Sequence, residues 1–377
     1  MTDHPNPSTT QIDFDLHQIL GIRLIDPSLQ DTNSVSKQLG LPKTLLNYPP
    51  DILIRFVDRF VLSSTMQYLD INECGFTDKS FVVLRSKHKT PARVQIAFDQ
   101  IGQQCEIICE RGLPAVPLLI PIINLTALVK GALPIHASAF QFKGKGILTT
   151  GWSKGGKTEM LIAFMMNGAT YIGDEWIYIN NNGKQMHGIP EPIRLWDWHL
   201  QTLPSYRQRI PRADRLRLSA IKLIQSLDKP LSEGPIVKRL FGKMFSRLRP
   251  VLKHQLHVYV SPRQLFNQNT ENLSCTFDKV FFLSSNDSPE IVVRPIDPFE
   301  IASRMVFSYQ YEQMNFLSYY WAFRFAFPQL HNDYIVRMEE LQRQRLMEVL
   351  ANKESFGVYH PYPISLPALY EAVYPYV

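Results

Sequence analysis

Gly151-Trp-Ser-Lys-Gly-Gly-Lys157-Thr158 is the segment that most limits what this chain can fold into. It fits the pattern of a glycine, four residues, then Gly-Lys-Ser/Thr. An apolar run at 147–150 precedes it and reads as a buried strand. An apolar helical run at 158–167 follows, with Gly168 as its stop. Such a loop needs glycines, because successive backbone N–H groups can curl around an anion only where no Cβ stands in the way. The helix that opens there points its positive end at the same anion. The spacing carries Lys157 toward β- and γ-phosphates and the Thr158 hydroxyl toward Mg²⁺. Gly151, Ser153, Lys154, Gly155, Gly156, Lys157 and Thr158 are therefore the candidate nucleotide-binding residues.

The flanks extend the pattern. Residues 135–142 read as a strand, Lys143-Gly144-Lys145-Gly146 as a hairpin turn, and Tyr171-Ile172 as the start of a strand that continues through 176–179. Strand, loop, helix, strand is an α/β nucleotide-binding layout. Gly173-Asp174-Glu175 puts two acids at a strand end beside the loop, where one can hold Mg²⁺ and the other can accept a proton. In a regular strand they would face opposite ways, so the sequence predicts a bend, which Gly173 would allow. His136 lies in Leu133-Pro-Ile-His-Ala-Ser-Ala139. A lone strand histidine is ordinarily structural, but the hairpin brings its strand beside the one feeding the loop, within reach of the acids.

The 377 residues suit about two domains, and a 45% apolar share supports a sizeable core and excludes a wholly disordered chain. Four cysteines without a Cys-x-x-Cys pair exclude a disulfide scaffold and read as buried thiols. Residues 1–10 hold no apolar run, so no secretory signal is expected, and the expected compartment is the cytoplasm. The stretch 112–129 is uncharged over 18 residues, but Pro114, Pro117 and Pro121 limit its helix to 121–130, too short to span a bilayer. Helical periodicity is read over 35–70, and a three-strand meander over 81–84, 94–98 and 105–109. Helices are read at 299–325 and 333–352, followed by a Tyr- and Pro-rich tail running extended over the surface. The organisation expected is an N-terminal α+β region, 1–130, then a nucleotide-binding domain, 131–377, with an insertion at 201–255. That insertion holds thirteen Lys and Arg against three acids, in a chain of net charge +6. Within it, Val237, Leu240, Phe241, Met244, Phe245 and Leu248 form an apolar helical stripe among basic residues. Residues 235–250 thus suit an anionic membrane surface or an acidic partner, or else a helix packed on the core. No nucleic-acid recognition motif is present, and nucleic acid is not an expected partner.

The segments LPIHASAF, GKGILTTGWSKGGKT, GATYIGDEW and PEPIRL, within 128–195, together resemble the HPr kinase / phosphoenolpyruvate carboxykinase type of phosphate-loop fold. The resemblance covers under a fifth of the chain, and the order of its parts is more specific than the loop alone. It is closest in style to the HPr-serine-kinase-like proteins. It implies an α/β protein with a phosphate-loop core of that type, an N-terminal α+β region and C-terminal helices. It also implies an ATP- and Mg²⁺-dependent phosphotransferase that moves the γ-phosphoryl to a hydroxyl of a protein, peptide or small molecule, of serine type. On this resemblance Lys157 is the phosphate lysine, Asp174 the acid/base residue and His136 the histidine near it. Thr158, Asp174 and Glu175 are the metal ligands, and Arg194 is a phosphate contact. Two departures stand out. The family usually has two aspartates where this chain has Asp174-Glu175. The glycine-rich signature after the core is replaced by HGIPEPIRLWDW, so HPr itself and the phosphorylase activity are not expected. The alternative reading is a nucleotide-binding regulatory or scaffold protein without transfer activity, tethered through its basic segment. A carboxykinase ranks last, because the further metal-binding residues it needs are not located.

Overall fold

Alternating burial along Ile52–Val57 makes this segment a strand: Ile52, Ile54 and Phe56 are buried, and the residues between them only partly so. The helical periodicity expected over 35–70 therefore fails at this point. The helix there is Leu29–Leu39, begun by a Ser28–Asp31 capping box. The computed structural model describes residues 10–43, 45–85, 91–231 and 255–377. Among these, Ile52–Val57 lies inside an eight-stranded sheet. Its order is Gln11–Leu16, Leu20–Ile25, Ile52–Val57, Cys105–Glu110, Pro91–Ile96, Phe81–Arg85, Cys74–Phe76 and Gln67–Leu69. Ile52–Val57 is parallel to both its neighbours, while Phe81–Arg85, Pro91–Ile96 and Cys105–Glu110 form the expected antiparallel meander. The helix Leu119–Val129 packs Ile122, Ile123 and Leu125 into the core of this sheet. It starts two residues earlier than expected, because a proline within the first turn blocks no helical hydrogen bond. Among the described residues no helix is long and apolar enough to cross a membrane. The four cysteines are free and buried, and burial pushes the Cys105 thiol up to about 12, which leaves it inert.

The second sheet is nine-stranded and mixed. Its path runs Ser274–Thr276, Gln185–Gly188, Trp176–Ile179, Leu133–Phe142, Lys145–Gly151, Lys279–Ser285, Glu354–His360 and Val292–Pro295, and Thr170–Gly173 also pairs with Leu133–Phe142. The long helix Pro298–Ala326 contributes Ile301, Met305 and Val306 to the core of this sheet, and Phe316 and Phe323 to the core of the first. The helix expected at 333–352 is two pieces, Asp333–Val336 and Met338–Leu350. The tail expected to run over the surface does not do so. Glu354–His360 is an interior strand, and Leu366–Val373 is a helix capped by Ser365 that buries Leu366, Leu369 and Val373. The molecule is thus a mixed α/β protein. Gly146 marks a tight approach in it, since a Cβ there would lie 1.6 Å from the Thr276 carbonyl oxygen. Gly146→Ala is expected to cost about 2–3 kcal/mol of stability, because backbone rather than a side chain must yield. Urea unfolding would measure this, and a loss below about 0.5 kcal/mol, the range of an ordinary surface change, would contradict the close approach.

Two compact units divide the chain: Met1–Pro190 with Glu271–Val377, and Glu191–Thr270. The first holds both large sheets. The second is built on an antiparallel ribbon, Ile193–Trp196 with His257–Val260, and includes the helices Asp197–Thr202, Pro204–Arg209, Arg212–Leu231 and Pro262–Phe266. The basic amphipathic stripe at 235–250 lies outside the described residues.

Within the first unit His17 stacks on His187 with ring centroids 4.7 Å apart. His17 Nε2 lies 2.7 Å from the Gly188 carbonyl, and His187 Nδ1 lies 2.7 Å from Ser274 Oγ. Burial, and then the neighbouring His17, lower the His187 pKa to about 4. The unfolded chain binds this proton more tightly than the folded one. The stability contribution is therefore complete above about pH 6.5 and is lost as pH falls toward 4, by roughly 1–3 kcal/mol. Melting curves across that window are expected to fall less steeply in His187→Gln than in the wild type.

Candidate functional site

The glycine-rich loop leaves the middle of the second sheet. Lys145–Gly151 is antiparallel to Leu133–Phe142 and parallel to Lys279–Ser285. It ends at Gly151, with φ of 149°, where a Cβ would stand 2.4 Å from the Leu283 carbonyl oxygen. The loop then turns. Gly155 N–H donates to the Trp152 carbonyl at 3.0 Å, and Lys154 is exposed with φ of 63°. Gly156, with φ of 100°, opens the helix Lys157–Met165. A Cβ on Gly156 would lie 2.8 Å from His360 Nε2. His360 is wholly buried, and the same nitrogen lies 3.0 Å from the Gly155 carbonyl, so the last strand of the chain braces the loop from within. Ser138 Oγ donates to the Lys157 carbonyl at 2.8 Å, tying the start of the helix to the strand that carries His136. The helix N-terminus and its partial positive charge therefore face the mouth of the loop. Lys157 is buried there, with Nζ 2.9 Å from the Trp152 carbonyl oxygen. Burial lowers its pKa, while the carboxylates of Glu175, Asp174 and Glu312 act in the opposite direction.

The acid pair owes its geometry to the long strand Leu133–Phe142, which pairs with two short strands in succession. Trp176–Ile179 runs along its first half, with Trp176 opposite His136, and Thr170–Gly173 runs along its second half, with Gly173 opposite Ala139. Asp174 and Glu175 fall between the two, just past a register shift between Tyr171 and Gly173, a ladder irregularity of the kind common beside functional sites. The bend differs from the expectation in one respect. Glu175 itself takes the left-handed backbone, with φ of 72°, and Gly173 does not. The two carboxylates diverge as a result. Asp174 turns inward, is 3% exposed, and accepts a hydrogen bond from Thr158 Oγ1 at 3.0 Å. Glu175 is about half exposed, and its Oε2 lies 3.0 Å from His136 Nε2. Burial first, and the Glu175 charge second, push the Asp174 pKa up to about 8. A carboxyl poised near neutrality is suited to taking up and releasing a proton.

His136 has a second neighbour on its other nitrogen. Nδ1 lies 3.2 Å from Glu312 Oε1, an ion-pair distance whose angle is not that of a hydrogen bond. Glu312 belongs to Pro298–Ala326, which runs along the back of the loop: Ser308 Oγ donates to the Gly151 carbonyl at 3.3 Å, and the Tyr311 ring lies 5.0 Å from that of Trp152. The structure thus gathers Gly151, Gly155, Gly156, Lys157, Thr158, Asp174, Glu175 and His136 in the first unit. Ser153 is partly buried in the same loop. Arg194 is carried by the second unit, with its guanidinium 4.4 Å from the Trp196 ring and Nη2 3.4 Å from His257 Nδ1. The sequence reading missed Glu312, Ser308 and His360. Glu312 left one trace, as the only acid between Glu300 and Asp333 in a run dominated by apolar and aromatic residues. Among the described residues no three His, Cys, Asp or Glu side chains converge to hold a metal ion. At the loop, Thr158 Oγ1 and the Asp174 carboxylate form a hard-oxygen pair. Comparison of the sequence with protein-family models and with curated proteins gives no match.

Proposed function

We propose that the chain is an ATP-dependent phosphotransferase with a phosphate-loop core of the HPr kinase type, transferring the γ-phosphoryl to a hydroxyl of a serine-like acceptor. One observation carries this reading. The Gly151–Thr158 loop sits between an inner strand and a helix, and Thr158 Oγ1 stands 3.0 Å from a buried aspartate at the bend of the adjoining strand. The donor set suits Mg²⁺, which takes one or two protein oxygens and completes its shell with phosphates and water. Thr158 would hold it directly and Asp174 through one of its waters, which leaves the Asp174 carboxylate able to accept a proton, and it would supply charge neutralisation at the phosphate oxygens. The lack of a three-carboxylate group among the described residues is compatible with such a site.

Lys157 places a buried positive charge at the mouth of the loop, where the transferred group gathers negative charge. Asp174 accepts the proton of the acceptor hydroxyl. That O–H bond breaks as the oxygen bonds to phosphorus, and the bond from phosphorus to the bridging oxygen of the β-phosphate breaks in line. Glu175 is held by His136 on the far side of the bend, which leaves Asp174 as the carboxylate facing Thr158. In this reading Glu175 drops out of the expected metal ligands, and Thr158 and Asp174 remain. Arg194 is a phosphate contact only by resemblance.

Calorimetric titration of the full chain with ATP and Mg²⁺, followed by chromatographic detection of ADP, tests the proposal. Saturable binding and slow ADP formation are expected, with faster formation when a serine-bearing acceptor is supplied. Binding without ADP, across an acceptor screen of serine, peptides and small alcohols, would favour the nucleotide-binding regulator instead. Absence of binding would remove both readings.

A further inference from the structure

We infer that Glu312 is a positioning residue for His136: its carboxylate anchors the ring at Nδ1, so that Nε2 is presented to Glu175 beside the acid/base aspartate. The inference rests on the phosphotransferase reading only for its kinetic consequence. The anchoring itself is a matter of geometry. His136 Nδ1 and Glu312 Oε1 are both buried, are 3.2 Å apart, and neither has a hydrogen-bond partner. Two buried polar atoms that face each other in this way each cost stability unless they pair. Hydrogen bonds within catalytic groups are often poorly aligned in the empty site and tighten when it fills.

The opposite nitrogen lies 3.0 Å from Glu175 Oε2, so two carboxylates from distant parts of the chain flank one ring, which donates to both only as the imidazolium. The remaining contacts limit the ring's rotation. Trp176 lies 5.7 Å from it and is itself met edge-on by Tyr309, one helical turn from the Glu312 carboxylate. The helix that carries Glu312 is keyed to the loop by Ser308 on Gly151 and by Thr150 Oγ1 at 3.2 Å from Met305 Sδ. Glu312 therefore sits on a fixed element, whereas Glu175 sits on a bend with left-handed backbone. The order of support runs from Glu312 to His136 to Glu175, and so to the peptide that aims Asp174. Loss of the first link leaves Lys157 and the glycines in place but loosens the bend. A misplacement of about 1 Å at a reacting group lowers rate by about 100-fold. Loss of a group that orients a catalytic or metal-bound residue costs about 10–100-fold.

The test uses the full chain labelled with ¹⁵N-histidine, without nucleotide. The His136 ring signals are identified by their loss in His136→Gln, and are compared in wild type, Glu312→Gln and Glu312→Ala. The proposal expects the His136 ring signals to shift or broaden in Glu312→Ala. In Glu312→Gln, whose amide oxygen can still accept from Nδ1–H, they should remain closer to wild type. Unchanged signals in Glu312→Ala would overturn it. Should that variant fail to fold, Glu312→Leu, which keeps most of the volume but offers no acceptor, carries the comparison, and a spectrum identical to wild type at His136 in Glu312→Leu would overturn it equally. In turnover, Glu312→Ala should lower kcat about 10–100-fold while KM for ATP stays within about threefold, and Glu312→Gln should recover part of the loss. An unchanged kcat, or a loss confined to KM, would overturn the positioning role. If the wild type forms no ADP, the phosphotransferase reading fails by itself, and the ring signals still decide whether Glu312 anchors His136.

Discussion

Lys157→Ala is expected to abolish measurable ATP binding, weakening it by at least about 2–5 kcal/mol, the usual cost of truncating one partner of a buried charge pair. The reason lies in where the ammonium sits. It is buried at the helix N-terminus, donates to the Trp152 carbonyl at 2.9 Å, and faces the carboxylates of Glu175, Asp174 and Glu312. Without it, the mouth of the loop keeps its acids and loses their counter-charge, so a polyphosphate would no longer meet a compensating positive side chain. Stability should move much less. Alanine leaves the Trp152 carbonyl without its donor, which destabilises, but it also removes a cation whose pKa burial already lowers, which stabilises. The melting temperature is therefore expected to stay near that of wild type, which separates lost binding from lost folding. Lys157→Arg should bind poorly as well, because a forked guanidinium cannot replace a compact ammonium in a packed loop. Isothermal titration of the three proteins decides the matter. ATP affinity in Lys157→Ala equal to wild type would sink the phosphate-loop reading.

The parts of this site that were legible in the sequence are those whose signals are local. Glycines at Gly151, Gly155 and Gly156 are needed because backbone approaches backbone, or His360, too closely for a Cβ. That requirement shows in the string itself. The hairpin at Lys143-Gly144 is equally local, and it was enough to bring His136 to the acids. Residues that reach the site from far along the chain left almost no trace. Glu312 and His360 arrive on Pro298–Ala326 and Glu354–His360, and only the completed sheet and its covering helix bring them to the loop. Ile52–Val57 was misread because a short apolar run fits a helix face or a strand about equally well, and only sheet pairing decides between them. Glu354–His360 was hidden by a Tyr- and Pro-rich context, although its pairing with Lys279–Ser285 makes it an inner strand. Arg194 was read as a phosphate contact from the resemblance alone. Its strand, Ile193–Trp196, pairs with His257–Val260 in the second compact unit.

Asp174→Asn is expected to keep nucleotide binding and lose transfer by about 10²–10⁴-fold, the contribution of a positioned general base. The same change should raise the stability of the empty protein at and above neutral pH. Burial, and then the Glu175 charge, push the Asp174 pKa up to about 8, well above its unfolded value of 3.8. The folded chain therefore holds this proton more tightly than the unfolded chain does. Stability from the protonated carboxyl is complete below about pH 4 and falls as pH rises through 8. Asparagine cannot ionise, so that loss disappears. Its amide oxygen can still accept from Thr158 Oγ1, which keeps the bend in place. The variant should thus melt higher than wild type at pH 8, with the difference shrinking toward pH 4. A gain in stability coupled to a loss of rate is what a strained functional group produces, and neither a surface acid nor a structural one would show it. Full turnover in Asp174→Asn would remove the base assignment. A melting temperature that falls at pH 8 would instead show that ionised Asp174 stabilises the bend, contrary to the direction its burial implies.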